Sequence, residues 1–216
     1  IEYRKKLAYQ AFQKSSDYDY KISSYLVNEN IKTNLDKDTI KQLRYGENPH
    51  QKSAIYSFNK KIKINQIHGK TLSYNNYNDI FSALSISKSL PKNTGTVIVK
   101  HSNPCGVSIL KNNLDSYKYA LACDPLSAFG GIVSCNFKIN QTLALELNKI
   151  FLEVIIANGF DKNALKVLKS KKNLRLIDAS NFILNDSQKI NLIENSMLVQ
   201  TADKERFSKK NFKIVS

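Results

Sequence analysis

Residues 96–106 read Thr-Val-Ile-Val-Lys-His-Ser-Asn-Pro-Cys-Gly (TVIVKHSNPCG). Residues 96–99 are β-branched without interruption, which predicts a strand buried on both faces. The run ends on the charged pair Lys100-His101. Asn103-Pro104 and Gly106 then predict a turn that cannot continue the strand. An ammonium and an imidazole at the inner end of a buried strand call for a functional reason. In open α/β sheets ligands bind at the carboxyl ends of strands.

The flanking sequence sets this strand in an α/β layout. Residues 3–14 place Leu7, Ala8, Ala11 and Phe12 on one helical face. Ser15, Ser16 and Asp17 are expected to break that helix, with Asp17 or Asp19 capping a second one that carries Ile22, Tyr25 and Leu26. Residues 29–41 read as a polar connector, 54–58 as a short strand, and the Tyr/Asn-rich 65–78 as a loop. Asp79 is expected in the first turn of a helix with Ile80, Ala83, Leu84 and Ile86 inward, ending before Pro91. Downstream, a helix over 114–122 leads to a strand at 132–135, and a helix over 141–151 to a strand at 154–157. A helix capped by Asp161 leads to a strand at 174–177, and 190–193 and 198–200 read as edge strands. Strands alternating with helices predict a layered α/β sheet with much parallel pairing. The expected division is a helical arm over 1–42, a main domain over 43–202 and a basic end over 203–216, read as frayed or cut.

A chain of 216 residues, 42% hydrophobic, is long enough to bury a sizeable core. No apolar run approaches the roughly 20 residues that span a bilayer, and no cleavable signal is expected at the start. Ile1 in place of Met reads as the start of a segment of a longer product. The formal charge of +15, from 33 Lys+Arg against 18 Asp+Glu, has two readings. One is nucleic-acid or membrane-surface binding. The other, favoured here, is compositional drift together with a need for anionic small molecules, because the lysines are scattered and not interleaved with aromatics. Cys105, Cys123 and Cys135 form no CxxC pair and leave one odd, which points to a reducing, cytoplasmic setting.

Four polar stretches can carry chemistry. In Arg44-Tyr45-Gly46-Glu47-Asn48-Pro49-His50 a turn holds Arg44 and His50 in one loop; Arg grips phosphate bidentately and Tyr45 can stack on a ring. The plain alternative is an exposed surface turn. At Lys100-His101 the imidazole can take a proton at neutral pH and the ammonium can stabilise an oxyanion; the alternative is a backbone-satisfied His beside a snorkelling Lys. In residues 124–131, DPLSAFGG, Gly130-Gly131 lets backbone approach a ligand, or simply forms a tight loop. Glu153, directly before the apolar run 154–157, can bind amino or hydroxyl groups, or is an ordinary acid at a strand start. Zinc is the rival for this set. A zinc-deaminase pattern needs Glu after the first ligand and Pro-Cys-x-x-Cys, whereas position 103 is Asn and position 108 is Ser. No metal is therefore expected, and Cys105 reads as a packing residue.

LRYGENPHQ, VIVKHSNPCG, ACDPLSAFGGIVSCN and EVIIANGF occur in this order. Together with the opening RKKLAYQAF and SDYDYKISSYL, they resemble the transformylase part of bifunctional purine biosynthesis proteins, which join AICAR transformylase to IMP cyclohydrolase. The resemblance runs over residues 3–202, and four ordered motifs are more specific than any one of them. It implies formyl transfer from 10-formyltetrahydrofolate to AICAR, giving FAICAR. It implies His101 as general base and Lys100 as the residue stabilising the oxyanion. It implies Arg44, Tyr45, Gly130 and Glu153 as AICAR-binding positions, with His50 and Asn76 nearby. The implied fold is a cytidine-deaminase-like subdomain without zinc, and the implied assembly is a homodimer with a shared site. The cyclohydrolase domain and the family's SNA-type asparagine, FFPFRD loop and RHF-like histidine do not occur in this sequence, so ring closure is not expected of it. Asn158 stands where the family usually has Pro, and Asn195-Ser196 where it often has Gly-Gly. The alternatives are a degenerate AICAR-binding module and a basic nucleic-acid binder.

Overall fold

A computed structural model describes residues 2–27, 41–55, 64–184, 188–194 and 196–203. The chain forms two compact units, Ile1–Ser180 and Asn181–Ser216.

The first unit is built on a six-stranded mixed sheet. Its strands are β3 (Asn65–His68), β4 (Gly95–Lys100), β5 (Asn103–Ile109), β6 (Ile132–Cys135), β7 (Val154–Ala157) and β8 (Arg175–Asp178). Their spatial order is β3-β8-β7-β6-β4-β5. β6, β7 and β8 run parallel, whereas β4 is antiparallel to both neighbours. The expected layered α/β sheet is therefore present, and it is mixed.

Residues 96–99, 132–135 and 154–157 are all buried because helices cover both faces of the sheet. Helix α2 (Tyr74–Ser89) lies on one face with Tyr77, Ile80, Ala83 and Leu84 inward, and its Ser87 hydroxyl meets that of Ser134 at 2.8 Å. Helices α3 (Asn113–Cys123), α5 (Gln141–Leu147) and α6 (Lys162–Leu168) lie on the other, around Ile98, Val133, Ile155 and Leu176. There the Ser116 hydroxyl donates to Thr96 Oγ1 at 3.0 Å. Asn112 and Asn140 cap α3 and α5 by accepting backbone N–H bonds. A small antiparallel pair, β1 (Lys41–Leu43) and β2 (Ser53–Ile55), flanks the first polar turn.

Several sequence expectations are corrected. α1 (Glu2–Val27) is one helix, unbroken at Ser15-Ser16-Asp17. Ser and Asp cost only tenths of a kcal/mol to about 0.7 in a helix interior, and neither Gly nor Pro occurs to stop it. The region 65–78 is not a loop: it holds β3 and the first turn of α2. Ser73 and Asn76 form a reciprocal capping box there, so Asp79 falls beyond the first turn. Residues 103–106 do continue as strand. Among the described strands β5 stands at the edge of the sheet, and Pro104 sits at the register shift opposite Val99, the kind of place where a strand tolerates proline. The helix expected over 141–151 ends at Leu147. Asp161 precedes α6 without a side-chain cap; its carboxylate pairs with Lys138 at 2.6 Å. The expected connector and the end of the strand over 54–58 fall outside the described residues, as does Asn195. Asn158 donates to the Asn136 carbonyl at 2.7 Å and accepts from Lys88 at 2.9 Å, and its backbone N–H donates to Phe137 O at 3.1 Å. Proline could make none of these.

The second unit holds a separate hairpin, β9 (Gln188–Ile193) with β10 (Ser196–Thr201), so these are not edges of the main sheet.

Before β6, the short helix α4 (Pro125–Ala128) starts from Asp124, whose carboxylate accepts the Ser127 N–H at 3.0 Å. Bonds from Ser127, with Lys100 nearby, hold that carboxyl below its ordinary value. The stability it adds is complete above the unfolded value near pH 3.9 and is lost as pH falls through the depressed folded one. Asp124→Asn is expected to melt below wild type at pH 7, with the gap closing as pH falls below about 4. A gap that stays constant over that range contradicts the assignment.

Candidate active site

Because β4 runs against β6, its carboxyl end lies beside the amino ends of β6, β7 and β8: Val99 pairs with Ile132, Ile132 with Val154, and Val154 with Arg175. Lys100, Gly130-Gly131, Glu153 and Arg175 therefore share one end of the sheet. This shelf is the carboxyl end of β4 but the amino end of the three parallel strands. Adjacent strands lie about 4.8 Å apart, so β4 and β8 are about 14 Å apart along this shelf.

At the β7–β8 end is a cleft of about 280 Å³ lined by residues including Arg44, Tyr45, Lys70, Ser73, Glu153 and Arg175. Arg44 and Tyr45 enter it because residues 46–51 form a closed turn. Gly46 N–H donates to Gln51 O at 2.8 Å and Asn48 N–H to the Gln51 side chain at 2.7 Å. Gly46 is needed there because a Cβ would press on the Gln51 side chain at 2.9 Å. The turn is fastened to its surroundings: the Ser53 hydroxyl donates to Tyr45 O at 2.6 Å, and Asn75 Nδ2 to Glu47 O at 3.2 Å. The Arg44 guanidinium lies 5.5 Å from the Tyr45 ring centre. Glu153 Oε2 accepts from Asn76 Nδ2 at 2.8 Å, and Arg175 Nη1 lies 3.6 Å from it. Arg44, Lys70 and Arg175 outnumber the Glu153 carboxylate among the lining residues, which suits an anionic ligand carrying hydrogen-bond donors elsewhere.

At the β4 end, Lys100 Nζ donates to the Phe129 carbonyl at 2.9 Å, which leaves two of its three N–H groups to donate. Gly130 follows with φ +74° and donates its N–H to Phe151 O at 2.9 Å. The Phe129 and Phe151 ring centres are 5.5 Å apart, and Phe151 also lines the cleft. His101 and Ser102 are the two central residues of the β4–β5 hairpin, with φ +53° and +62°. This is the left-handed pair of a type I′ turn, which ordinarily takes Asn and Gly. Asp79 and Ser82 of α2 pin it: Ser102 N–H donates to Asp79 Oδ1 at 2.7 Å and the Ser82 hydroxyl to Ser102 O at 2.7 Å.

The sequence-derived candidates thus divide. Arg44, Tyr45 and Glu153 line one cleft, and Asn76 reaches it through Glu153. Lys100 and Gly130 lie further along the same sheet end. The His101 side chain is exposed at the hairpin tip and does not line the cleft, and His50 is exposed within the 46–51 turn. Lys70, Ser73 and Arg175 are additional lining residues. Arg175 had a signal: it opens the apolar pair Leu176-Ile177 just as Glu153 opens Val154–Ala157. Cys105 is half-buried, and its thiol is raised by burial and then by Asp124, as suits packing. Among the described residues, no three His, Cys, Asp or Glu side chains are grouped to hold a metal ion. No helix among them is long and apolar enough to cross a membrane.

The family model of the AICARFT/IMPCHase bienzyme matches residues 1–216. The chain belongs to that family. It is 40% identical over 229 residues to the bifunctional purine biosynthesis protein PurH of Acetivibrio thermocellus, covering 98% of this chain and 44% of that protein. It is 41% identical over 213 residues to PurH of Bacillus thuringiensis, covering 94% and 42%, and it matches PurH of Bacillus cereus over the same shares. The chain spans less than half the length of these bienzyme relatives. All four sequence stretches quoted above contribute residues to this end of the sheet.

Proposed function

We propose that this chain supplies the AICAR-binding half-site and the proton-transfer pair of a formyltransferase in purine biosynthesis. The observation that supports this reading is the meeting of four ordered family motifs at one end of one sheet. In this scheme Arg44 holds the phosphate, Tyr45 flanks the nucleotide, and Glu153 accepts from its hydroxyl or amino groups. The exocyclic amine of AICAR is conjugated to the ring and carboxamide and is a weak nucleophile. As its nitrogen attacks the formyl carbon of 10-formyltetrahydrofolate, His101 removes its proton. Lys100 stabilises the oxyanion of the tetrahedral intermediate, using N–H groups not spent on Phe129. Collapse of that intermediate breaks the bond to the folate N10, which leaves with the proton that His101 returns to it, and FAICAR remains. The co-substrate and a second copy of the chain, forming a homodimer with a shared site, complete the proposed assembly in the cytoplasm.

Calorimetric titration of the chain with AICAR tests the binding half of this reading. One saturable site is expected, and Arg44→Ala is expected to weaken it about 10- to 100-fold, the loss of a charge-assisted hydrogen bond. No saturable heat from wild type, or an Arg44→Ala variant of unchanged affinity, overturns it.

A further inference from the structure

Glu153 is held on two sides. Asn76, only 3% exposed, donates Nδ2 to Glu153 Oε2 at 2.8 Å, while its own Oδ1 accepts the Ser73 N–H at 3.2 Å. The amide is thereby fixed by the same capping box that starts α2. From the other side Arg175 Nη1 lies 3.6 Å from the same oxygen. Arg175 is fixed in turn. Its Nε donates to Thr71 O at 3.3 Å, its backbone N–H donates to Glu153 O at 3.1 Å, and its side chain is 14% exposed. Burial lowers the guanidinium's affinity for its proton, and Glu153 opposes that shift. Both contacts fall on Oε2; Oε1 makes neither.

We infer that Arg175 is a positioning residue. With Asn76 it clamps Oε2 of Glu153 so that Oε1 is presented to a hydrogen-bond donor of the bound nucleotide. This rests on the proposed reading of the cleft as the AICAR site. A carboxylate 42% exposed at the rim of an open cleft would otherwise sample several rotamers, and ordering it at the moment of binding costs affinity. An ion pair opposite a hydrogen-bonding amide removes that cost beforehand.

The inference separates from direct ligand contact by non-additivity. In AICAR titrations of the 216-residue chain, Glu153→Gln and Arg175→Met are each expected to weaken binding about tenfold. The double variant is expected to be no weaker than Glu153→Gln alone, and Arg175→Lys is expected to regain most of the affinity. A double variant showing the product of the two losses, or an Arg175→Met variant binding like wild type, overturns the inference. A ligand-free crystal structure of Arg175→Met, or of Arg175→Gln should the first not fold, gives a second readout. The Glu153 carboxylate is expected to leave Asn76. An unmoved carboxylate overturns the inference whether or not AICAR binds. Failure of the wild-type chain to bind AICAR, with the carboxylate still displaced in the variant, overturns the proposed function and with it the presentation of Oε1 to that nucleotide, while the clamp on Oε2 stands.

Discussion

His101→Ala is expected to lower formyl transfer about 10²- to 10⁴-fold, the range for removing a general base. Lys100→Met is expected to lower it about 10²- to 10³-fold, the range for one oxyanion donor. The assay joins this chain to the further length that its bienzyme relatives have and follows FAICAR formation. The hairpin adds a test that separates catalysis from folding. His101 sits at φ +53°, a conformation costing an L-residue roughly 1–2 kcal/mol that glycine adopts freely. His101→Gly is therefore expected to stabilise the fold by about 1 kcal/mol, raising the melting temperature by about 2–4 °C, while turnover is lost. Stability gained as activity is lost identifies a position whose side chain is kept for function. Full turnover in both the Lys100→Met and the His101→Ala variants removes the catalytic assignment. AICAR binding without turnover in the unmodified joined protein favours a degenerate binding module.

Gly106→Ala is expected to cost about 3 kcal/mol or more. Gly106 is buried on β5 against α3, and an added Cβ would run into the carbonyl oxygen of Ala120 and come within 3.1 Å of the Cys123 Cβ. Neither neighbour is the far end of a flexible side chain, so strand and helix must part, a severe case of overpacking. Among the described residues β5 pairs only with β4, and its loss frees the hairpin tip that carries Lys100 and His101. Hydrogen exchange is expected to speed up across residues 103–109 and at the 101–102 turn, with β7 and β8 less affected. Val107→Ala, at a neighbouring, partly exposed position, is expected to cost under 1 kcal/mol. Equal stability of the two variants in urea would mean that β5 is not packed on α3 as described.

What could be read from the sequence follows from how local its cause is. β6 and β7 were legible to the residue because an apolar run covered on both faces has no competing interpretation. β5 was hidden because Pro104 and Gly106 are turn signals that an edge strand with a register shift happens to tolerate. The start of α2 was hidden because Tyr and Asn are indifferent helix formers, and its capping box uses Asn76 where Glu or Gln is the usual sign. The antiparallel direction of β4, which reverses the expected relation between site and strand ends, depends on pairing partners far away in sequence. In the candidate site, Arg44, Tyr45 and Glu153 stood out because each lies where a turn or strand start puts a polar group beside apolar sequence. Arg175 obeys the same rule but, lying inside the short strand expected over 174–177, was not singled out. The exposure of His101 follows from a two-residue hairpin, which no property of Lys100-His101 alone foretells.

A crystal structure of the chain with AICAR tests most directly whether this sheet end is one site. The nucleotide is expected to run along it, with its phosphate in hydrogen-bond contact with Arg44, a hydroxyl or amine on Glu153, and the reacting amine turned toward Lys100 and His101. A nucleotide bound elsewhere, or seated in the cleft with its amine pointing away from the hairpin, contradicts it.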